Sequence, residues 1–188
     1  MLQQNMFSSF STHVADPPPP PLGRSVNSYF WEELVSGSIA SRIKESSRDK
    51  YVSSSDEVYN VLKPIYAQEP DVERMIGIYT SQKNQIISIE TIARGSISSA
   101  SIYPREIVKA MLHNQATSLV VSHNHPSGDP TPSSEDHQIT KHILFALHCI
   151  GATLLDHIII GDNGARYSFA DDGLLTNMRK QAVSAFIF

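Results

Sequence analysis

The sequence predicts an α/β fold in which a mixed β-sheet is flanked by helices. Two apolar runs, "ERMIGIYT" and "IISIETIA", are separated by the polar "SQKNQ", and this arrangement indicates a β-hairpin. Beyond the hairpin, helical and strand patterns alternate along the chain, which is typical of a layered α/β domain. The continuous apolar run in "TSLVVSHNH" indicates a strand that is buried on both faces.

Two parts are expected along the chain. Residues 1–50 are rich in proline and serine and are expected to form a leader that is poorly ordered or partly helical. Its "PPPPP" run favours a stiff polyproline II spacer. Inside the leader, "NSYFWEELVSGSIASRIK" predicts a short amphipathic helix with Phe30, Leu34 and Ile39 near one face. Residues 51–188 are expected to form the α/β domain.

Composition and charge narrow the classes of function. With 40% hydrophobic and 18% charged residues, the chain has the composition of a globular protein with one core. The net charge of -4 does not support a basic DNA-binding surface, although it leaves a local one open. Cys149 is the single cysteine, so no intrachain disulfide can form, and a reducing cytoplasm is expected. No secretory signal pattern or membrane-length apolar run is present.

Helix boundaries follow from capping and proline signals. "SSSDEVYNVLKPIYA" predicts a helix that Ser55 caps and that Pro64 kinks or ends. "YPREIVKAMLHN" predicts a helix with Pro104 at its first position. Its spacing predicts a buried stripe made of Ile107, Val108, Met111 and Leu112.

The region after "SHNH" predicts two more helices and two more strands. "SSEDHQITKHILFALHCIG" has the strongest helical pattern, with a buried Cys149, a stop at Gly151 and an apolar stripe of Ile139, Ile143, Leu147 and Ile150. "TLLDHIIIG" and "ARYSFA" predict strands joined by the turn "DNG", and "DDGLLTNMRKQAVSAF" predicts a closing helix. "GSISSASIY" is compatible with a further strand.

The stretch "SHNHPSGDPTPSSED" carries the strongest chemical signal. Because side chains alternate along a strand, His123 and His125 point to the same side, just beyond the end of a buried strand. The prolines and the glycine that follow force a turn, and Asp136 falls on the first turn of the next helix. Two imidazoles and one carboxylate are typical of a zinc site that keeps a fourth position open for water. The residues Ser133 to Asp136 also match a capping box, so a purely structural role remains open for them.

The same stretch resembles the metal-binding motif of the JAMM (MPN+) metalloproteases. That motif reads His-x-His-Pro, six residues, Ser, two residues, Asp, and "HNHPSGDPTPSSED" has every position. "YPREIVKAMLHNQATSLVVSHNHPSGDPTPS" and "LLDHIIIGD" further resemble the bacterial RadC family, historically called DNA repair proteins. The resemblance implies a JAB/MPN domain with a three-layer, cytidine-deaminase-like architecture, and Zn²⁺ held by His123, His125 and Asp136.

The resemblance also implies two catalytic residues. JAMM enzymes use a glutamate near the start of a core strand as general acid and base, and Glu73, Glu90 and Glu106 are candidates here. Glu73 is the best match because it opens "ERMIGIYTSQKNQII", which is similar to the corresponding RadC stretch. Ser133 takes the place of the serine that stabilises the oxyanion. His157 fits two roles, support of the metal ligands or an ordinary hydrogen-bonded strand histidine.

The expected function is therefore a zinc-dependent, JAMM-type hydrolase that cleaves a peptide or isopeptide bond in a peptide or protein substrate. The alternative is a non-catalytic protein associated with DNA repair or recombination, whose metal site is structural or vestigial. Hydrolysis of another amide or of a phosphodiester is a third possibility. The leader does not resemble the helix-hairpin-helix domain that is usual in longer RadC proteins. The sequence therefore gives no support for direct DNA binding.

Overall fold

The structure is a computed structural model that describes residues 36–95 and 102–186. Within these residues the chain forms five helices and five strands. The helices are α1 (Ser38–Ser47), α2 (Ser55–Tyr66), α3 (Pro104–His113), α4 (Ser134–Cys149) and α5 (Leu174–Phe186). The strands are β1 (Arg74–Thr80), β2 (Ile86–Arg94), β3 (Ser118–Asn124), β4 (Thr153–Ile160) and β5 (Arg166–Ser168).

The strands form one mixed sheet, as the sequence predicted, and their order in the sheet is β2-β1-β3-β4-β5. β1 pairs antiparallel with both β2 and β3, β3 pairs parallel with β4, and β5 pairs antiparallel with β4. The carboxyl ends of β3 and β4 therefore lie at the same edge of the sheet as the beginning of β1. That edge carries the candidate site.

Helices cover both faces of the sheet and give the predicted three layers. One core cluster joins the sheet to α3, α4 and α5, and its members include Met75, Leu119, Val121, Ile107, Ile143 and Leu175. The other joins the opposite face to α1 and α2, and its members include Ala40, Val58, Leu62, Ile76, Val120 and Ile158. β1 and β3 are buried along their whole length because both faces are covered.

Four details of the helix predictions are wrong. Ser54 rather than Ser55 caps α2, and its side chain accepts a hydrogen bond from the Glu57 N–H. Leu112 is 66% exposed because it lies one residue, about 100° of helix rotation, beyond the buried Met111. Ile150 and Cys149 are exposed because α4 ends at Cys149 and the chain then turns away from the core.

Part of the helix that was predicted in the leader lies within the described residues. α1 starts after Gly37, buries Ala40 in the core and leaves Ile39 half-buried. Phe30 and Leu34 lie outside the described residues, as does most of "GSISSASIY". The packed body thus includes residues before position 51, and the domain boundary at that position stays a prediction. None of the helices in the described segments is both long and apolar enough to cross a bilayer.

Asp156 on β4 ties the end of the sheet to the segment before α5. Its Oδ1 accepts hydrogen bonds from the backbone N–H groups of His157 and Ala170, and its Oδ2 accepts one from Ser168 Oγ. Burial nevertheless raises the pKa of this carboxyl to about 6. Burial of the carboxylate costs more free energy than these hydrogen bonds return, so the folded protein holds the Asp156 proton more tightly than the unfolded chain does.

The first prediction concerns the pH dependence of stability. Because the folded protein holds the Asp156 proton more tightly than the unfolded chain, this stabilisation is complete below about pH 4 and is lost as the pH rises through 6. In zinc-free protein the free energy of unfolding, measured by urea denaturation, should fall by roughly 2–3 kcal/mol over this window relative to Asp156→Asn. Parallel pH curves for the two proteins would contradict the prediction.

Candidate metal centre

The pairing register between β1 and β3 brings an acid to the histidines. Met75 lies opposite His123, so the antiparallel register continues to place Glu73 opposite His125. One ligand atom from each of Glu73, His123 and His125 lies within 4.8 Å of the other two. These three residues form a group that can hold a metal ion.

The two imidazoles converge as the strand periodicity predicted. His123 is the last but one residue of β3, and His125 follows the strand end by one residue. Their Nε2 atoms are 3.0 Å apart. The His123 side chain is fully buried, whereas His125 is 16% exposed, so the pair opens toward solvent on the His125 side.

Asp136 returns to the histidines from the first turn of α4. Its Oδ1 is 3.0 Å from His123 Nε2, and its Oδ2 is 3.5 Å from His125 Nε2. The same carboxylate completes a capping box, because Oδ2 accepts from the Ser133 N–H at 2.8 Å while Ser133 Oγ accepts from the Asp136 N–H. The capping box predicted from "SSED" is therefore present, and it leaves the Asp136 carboxylate in contact with both histidines.

Strong electrostatic coupling accompanies this geometry. Burial alone would raise the pKa of Asp136, but its contacts with the His123 and His125 rings and a hydrogen bond from Ser133 hold that pKa far below its usual range. The contact with Asp136 in turn raises the pKa of His125, with smaller contributions from the Asp129 carbonyl and the charge of Glu73. Asp136 is thus ionised, and a dense negative charge faces the two ring nitrogens. Such a cluster favours a bound cation.

The second nitrogen of each imidazole has its own partner. His125 Nδ1 donates to the Asp129 carbonyl at 2.7 Å, so its Nε2 is free of that proton. His123 Nδ1 lies 2.8 Å from His157 Nε2, and His157 is fully buried, a position that keeps its pKa well below its ordinary value. Of the two roles open to His157, the structure shows the direct contact with a candidate metal ligand.

The loop "HPSGDP" is held against the end of β4. The Asp162 N–H donates to the Gly128 carbonyl at 2.9 Å, and the His125 N–H donates to the Ile160 carbonyl at 2.9 Å. Gly128 adopts a left-handed conformation, with φ of +82°, and a Cβ on Gly161 would collide with the Gly128 carbonyl. These two glycines allow the close approach that orients His125.

The other two glutamate candidates lie elsewhere. Glu106 is exposed on α3 and pairs with Lys109 and Arg105. Glu90 accepts a hydrogen bond from Asn114 Nδ2 at 2.7 Å, in the interior of β2. Glu73 is the one of the three that is grouped with the histidines.

Ser133 is next to the site, but its hydroxyl is already engaged. Ser133 Oγ donates to Asp136 Oδ2 at 2.6 Å. An additional role for this hydroxyl, such as donation to a substrate oxygen, requires that it exchange that hydrogen bond. Asp136 Oδ2 would keep the Ser133 N–H as a donor.

Asn124 is a functional residue that the sequence reasoning missed. Between the histidines, its side chain points to the opposite face, where Oδ1 accepts from the Arg74 N–H at 2.9 Å and Nδ2 donates to the Val72 carbonyl at 3.1 Å. These two backbone groups flank Glu73, whose own carbonyl accepts from the Gly95 N–H. The alternation of side chains along "HNH" indicates that Asn124 points away from the two histidines. Nothing in the sequence identifies the backbone groups of β1 that it binds.

Replacement of Asn124 should therefore destabilise the start of β1. Asn124→Ala leaves the buried Arg74 N–H and the partly buried Val72 carbonyl without these partners, which should lower the free energy of unfolding by roughly 2–3 kcal/mol in urea denaturation. Asn177→Ala, at an exposed position of α5, is the matched control and should unfold like the wild type. Equal stability of Asn124→Ala and wild type would contradict the assignment.

A groove of about 330 Å³ includes His125 in its lining. Tyr59, Lys63 and Tyr66 of α2 line it together with Asn124 and residues 160–164. This volume falls within the range of small-molecule and peptide side-chain sites. The groove provides space for a substrate segment beside His125.

Comparisons with known proteins found a matching domain family and many relatives. The profile of the RadC-like JAB domain matches residues 52–174. A UPF0758 protein of Methanosarcina mazei is 39% identical over 124 residues, which are 66% of this chain and 53% of that protein. UPF0758 protein YfjY of Escherichia coli is 45% identical over 103 residues, or 55% of this chain and 64% of that protein. The chain thus spans about half to two thirds of these relatives, whose names specify no activity.

Proposed function

Because the chain belongs to the RadC-like JAB domain family, we propose that it is a zinc-dependent hydrolase that cleaves a peptide or isopeptide bond. The observation that supports this function most directly is that the two imidazoles meet each other, contact the Asp136 carboxylate and lie within metal-binding distance of Glu73. Nitrogen and carboxylate donors in this number are the usual ligands of catalytic zinc.

Asp136 is the third ligand in this proposal, and Glu73 is the general acid and base. Asp136 is buried, ionised and fixed by its capping box, as a permanent ligand should be. Glu73 is only half-buried, so its carboxylate has access to water and substrate.

Each residue of the site has a separate role in the proposed hydrolysis. Zinc held by His123, His125 and Asp136 would supply a Lewis acid that polarises the scissile carbonyl and lowers the pKa of a water molecule. Glu73 accepts the proton of the attacking water and returns it to the nitrogen of the leaving amine. The Ser133 hydroxyl shifts from Asp136 Oδ2 to the oxyanion, and the substrate chain lies in the groove beside His125.

The metal assignment is tested by metal analysis of dialysed protein. Wild type should retain one zinc ion per chain. His123→Ala and Asp136→Asn should lose stoichiometric zinc, because each removes one of the proposed protein ligands. His142→Ala is the control, since His142 is exposed on α4 away from the site. Loss of zinc from Glu73→Gln, with retention in Asp136→Asn, would instead make Glu73 the third ligand.

The catalytic assignment needs a variant that keeps the metal. Glu73→Gln should bind zinc as the wild type does, but its rate on a peptide that a library screen identifies should fall by about 10²–10⁴-fold. Glu106→Gln replaces an exposed acid and should leave the rate unchanged. Full activity of Glu73→Gln would refute its role, and a zinc-loaded wild type without hydrolysis would favour the non-catalytic alternative.

A further inference from the structure

We propose that Thr140 and His157 form a hydrogen-bond relay that holds the ring proton of His123 on Nδ1, so that its Nε2 presents a lone pair to the metal. This inference deepens the proposed function, because it rests on the metal centre assigned there. It gives a positioning role to two residues that lie outside the ligand set. Neither residue touches the open side of the site.

The relay is continuous and buried. Thr140 Oγ1 lies 2.5 Å from the carbonyl oxygen of Asp136, one helical turn earlier in α4. The same Oγ1 is 2.6 Å from His157 Nδ1, and His157 Nε2 is 2.8 Å from His123 Nδ1. Thr140, His157 and His123 are each 0% exposed, so no solvent molecule competes for these hydrogen bonds.

The chemistry of the Asp136 carbonyl sets the direction of every bond in the relay. A carbonyl oxygen can only accept a hydrogen bond, so the Thr140 hydroxyl donates its one proton to the Asp136 carbonyl. The Thr140 oxygen must then accept the proton of His157 Nδ1. A neutral imidazole has no second proton, so His157 Nε2 accepts from His123 Nδ1.

The direction of these hydrogen bonds matters because either nitrogen of a neutral imidazole can donate or accept. His125 donates to a carbonyl, which can only accept, and its proton position is therefore unambiguous. His157 without Thr140 could donate to His123 from Nε2 instead of accepting. The His123 proton would then lie on its Nε2, the atom that faces Asp136 and His125, and that nitrogen could not bind a metal.

The relay also links two ligands that come from different elements. His123 ends β3, whereas Asp136 begins α4, and His157 of β4 with Thr140 of α4 spans the distance between them. Serine and threonine hydroxyls often donate to the carbonyl four residues earlier in a helix. Here the additional contact with His157 turns that local bond into a connection between the ligands.

The test uses a pair of substitutions at Thr140. Thr140→Val keeps the shape and removes the hydroxyl, so a buried His157 Nδ1–H would lose its acceptor and the ring would favour the other tautomer. Zinc affinity, measured in the full chain by competition with a chromogenic chelator at fixed pH, should fall about 10- to 100-fold. Thr140→Ser keeps the hydroxyl and should bind zinc as the wild type does.

A second measurement separates the relay from a merely structural effect. The ¹⁵N resonances of the His157 ring should show a protonated Nδ1 and an unprotonated Nε2 in wild type and Thr140→Ser, and a proton on Nε2 in Thr140→Val. Thr80→Val is the matched control, because Thr80 is also fully buried and its Oγ1 has no hydrogen-bond partner among the described residues. Its zinc affinity should not change.

Two results would overturn the relay. One is a proton on His157 Nε2 in the wild type, and the other is wild-type zinc affinity in Thr140→Val. Both measurements use zinc or the free protein alone, so an absence of peptidase activity leaves their outcome intact. A wild type with no zinc affinity would refute the metal centre of the proposed function, whereas the His157 ring proton would still decide the relay.

Discussion

The antiparallel register between β1 and β3 is the constraint on which the candidate site depends. With Met75 opposite His123, the side chain two residues earlier reaches the same edge as His125, and this residue is Glu73. Strand side chains repeat every two residues, so a slip of one residue would turn Glu73 toward the opposite face of the sheet. Asn124 secures the register at its end by binding both backbone groups that flank Glu73.

The remaining parts of the site show how a buried polar cluster is kept together. Asp136 serves as capping residue, as partner of two imidazoles and as the carbonyl acceptor of Thr140, so that α4 cannot begin in another place without disrupting the cluster. Buried polar groups are costly unless each finds a partner. Here the partners come from three strands and one helix, which couples stability of the fold to geometry of the site.

Much of the fold was predictable from local patterns. The hairpin, the doubly buried β3, the proline at the start of α3 and the long α4 all follow from periodicity and capping signals, and the structure confirms them. Apart from the one-residue error in the cap of α2, the errors lie where local patterns leave the outcome to tertiary packing. Leu112 fits the helical stripe but lies at its margin, and Cys149 and Ile150 lie where Gly151 turns the chain away from the core.

The sequence alone determined that His123 and His125 share one side of a strand and that Asp136 begins the following helix, because both statements follow from the geometry of a single element. Resemblance to a family was needed to select Glu73 from three acids. Only the tertiary structure decided which acid lies opposite His125, which face of β3 Asn124 uses to hold β1, and that Thr140 and His157 connect two ligands. These contacts join residues between 17 and 52 positions apart, and no local rule relates such residues until the strands are paired and the helix is packed.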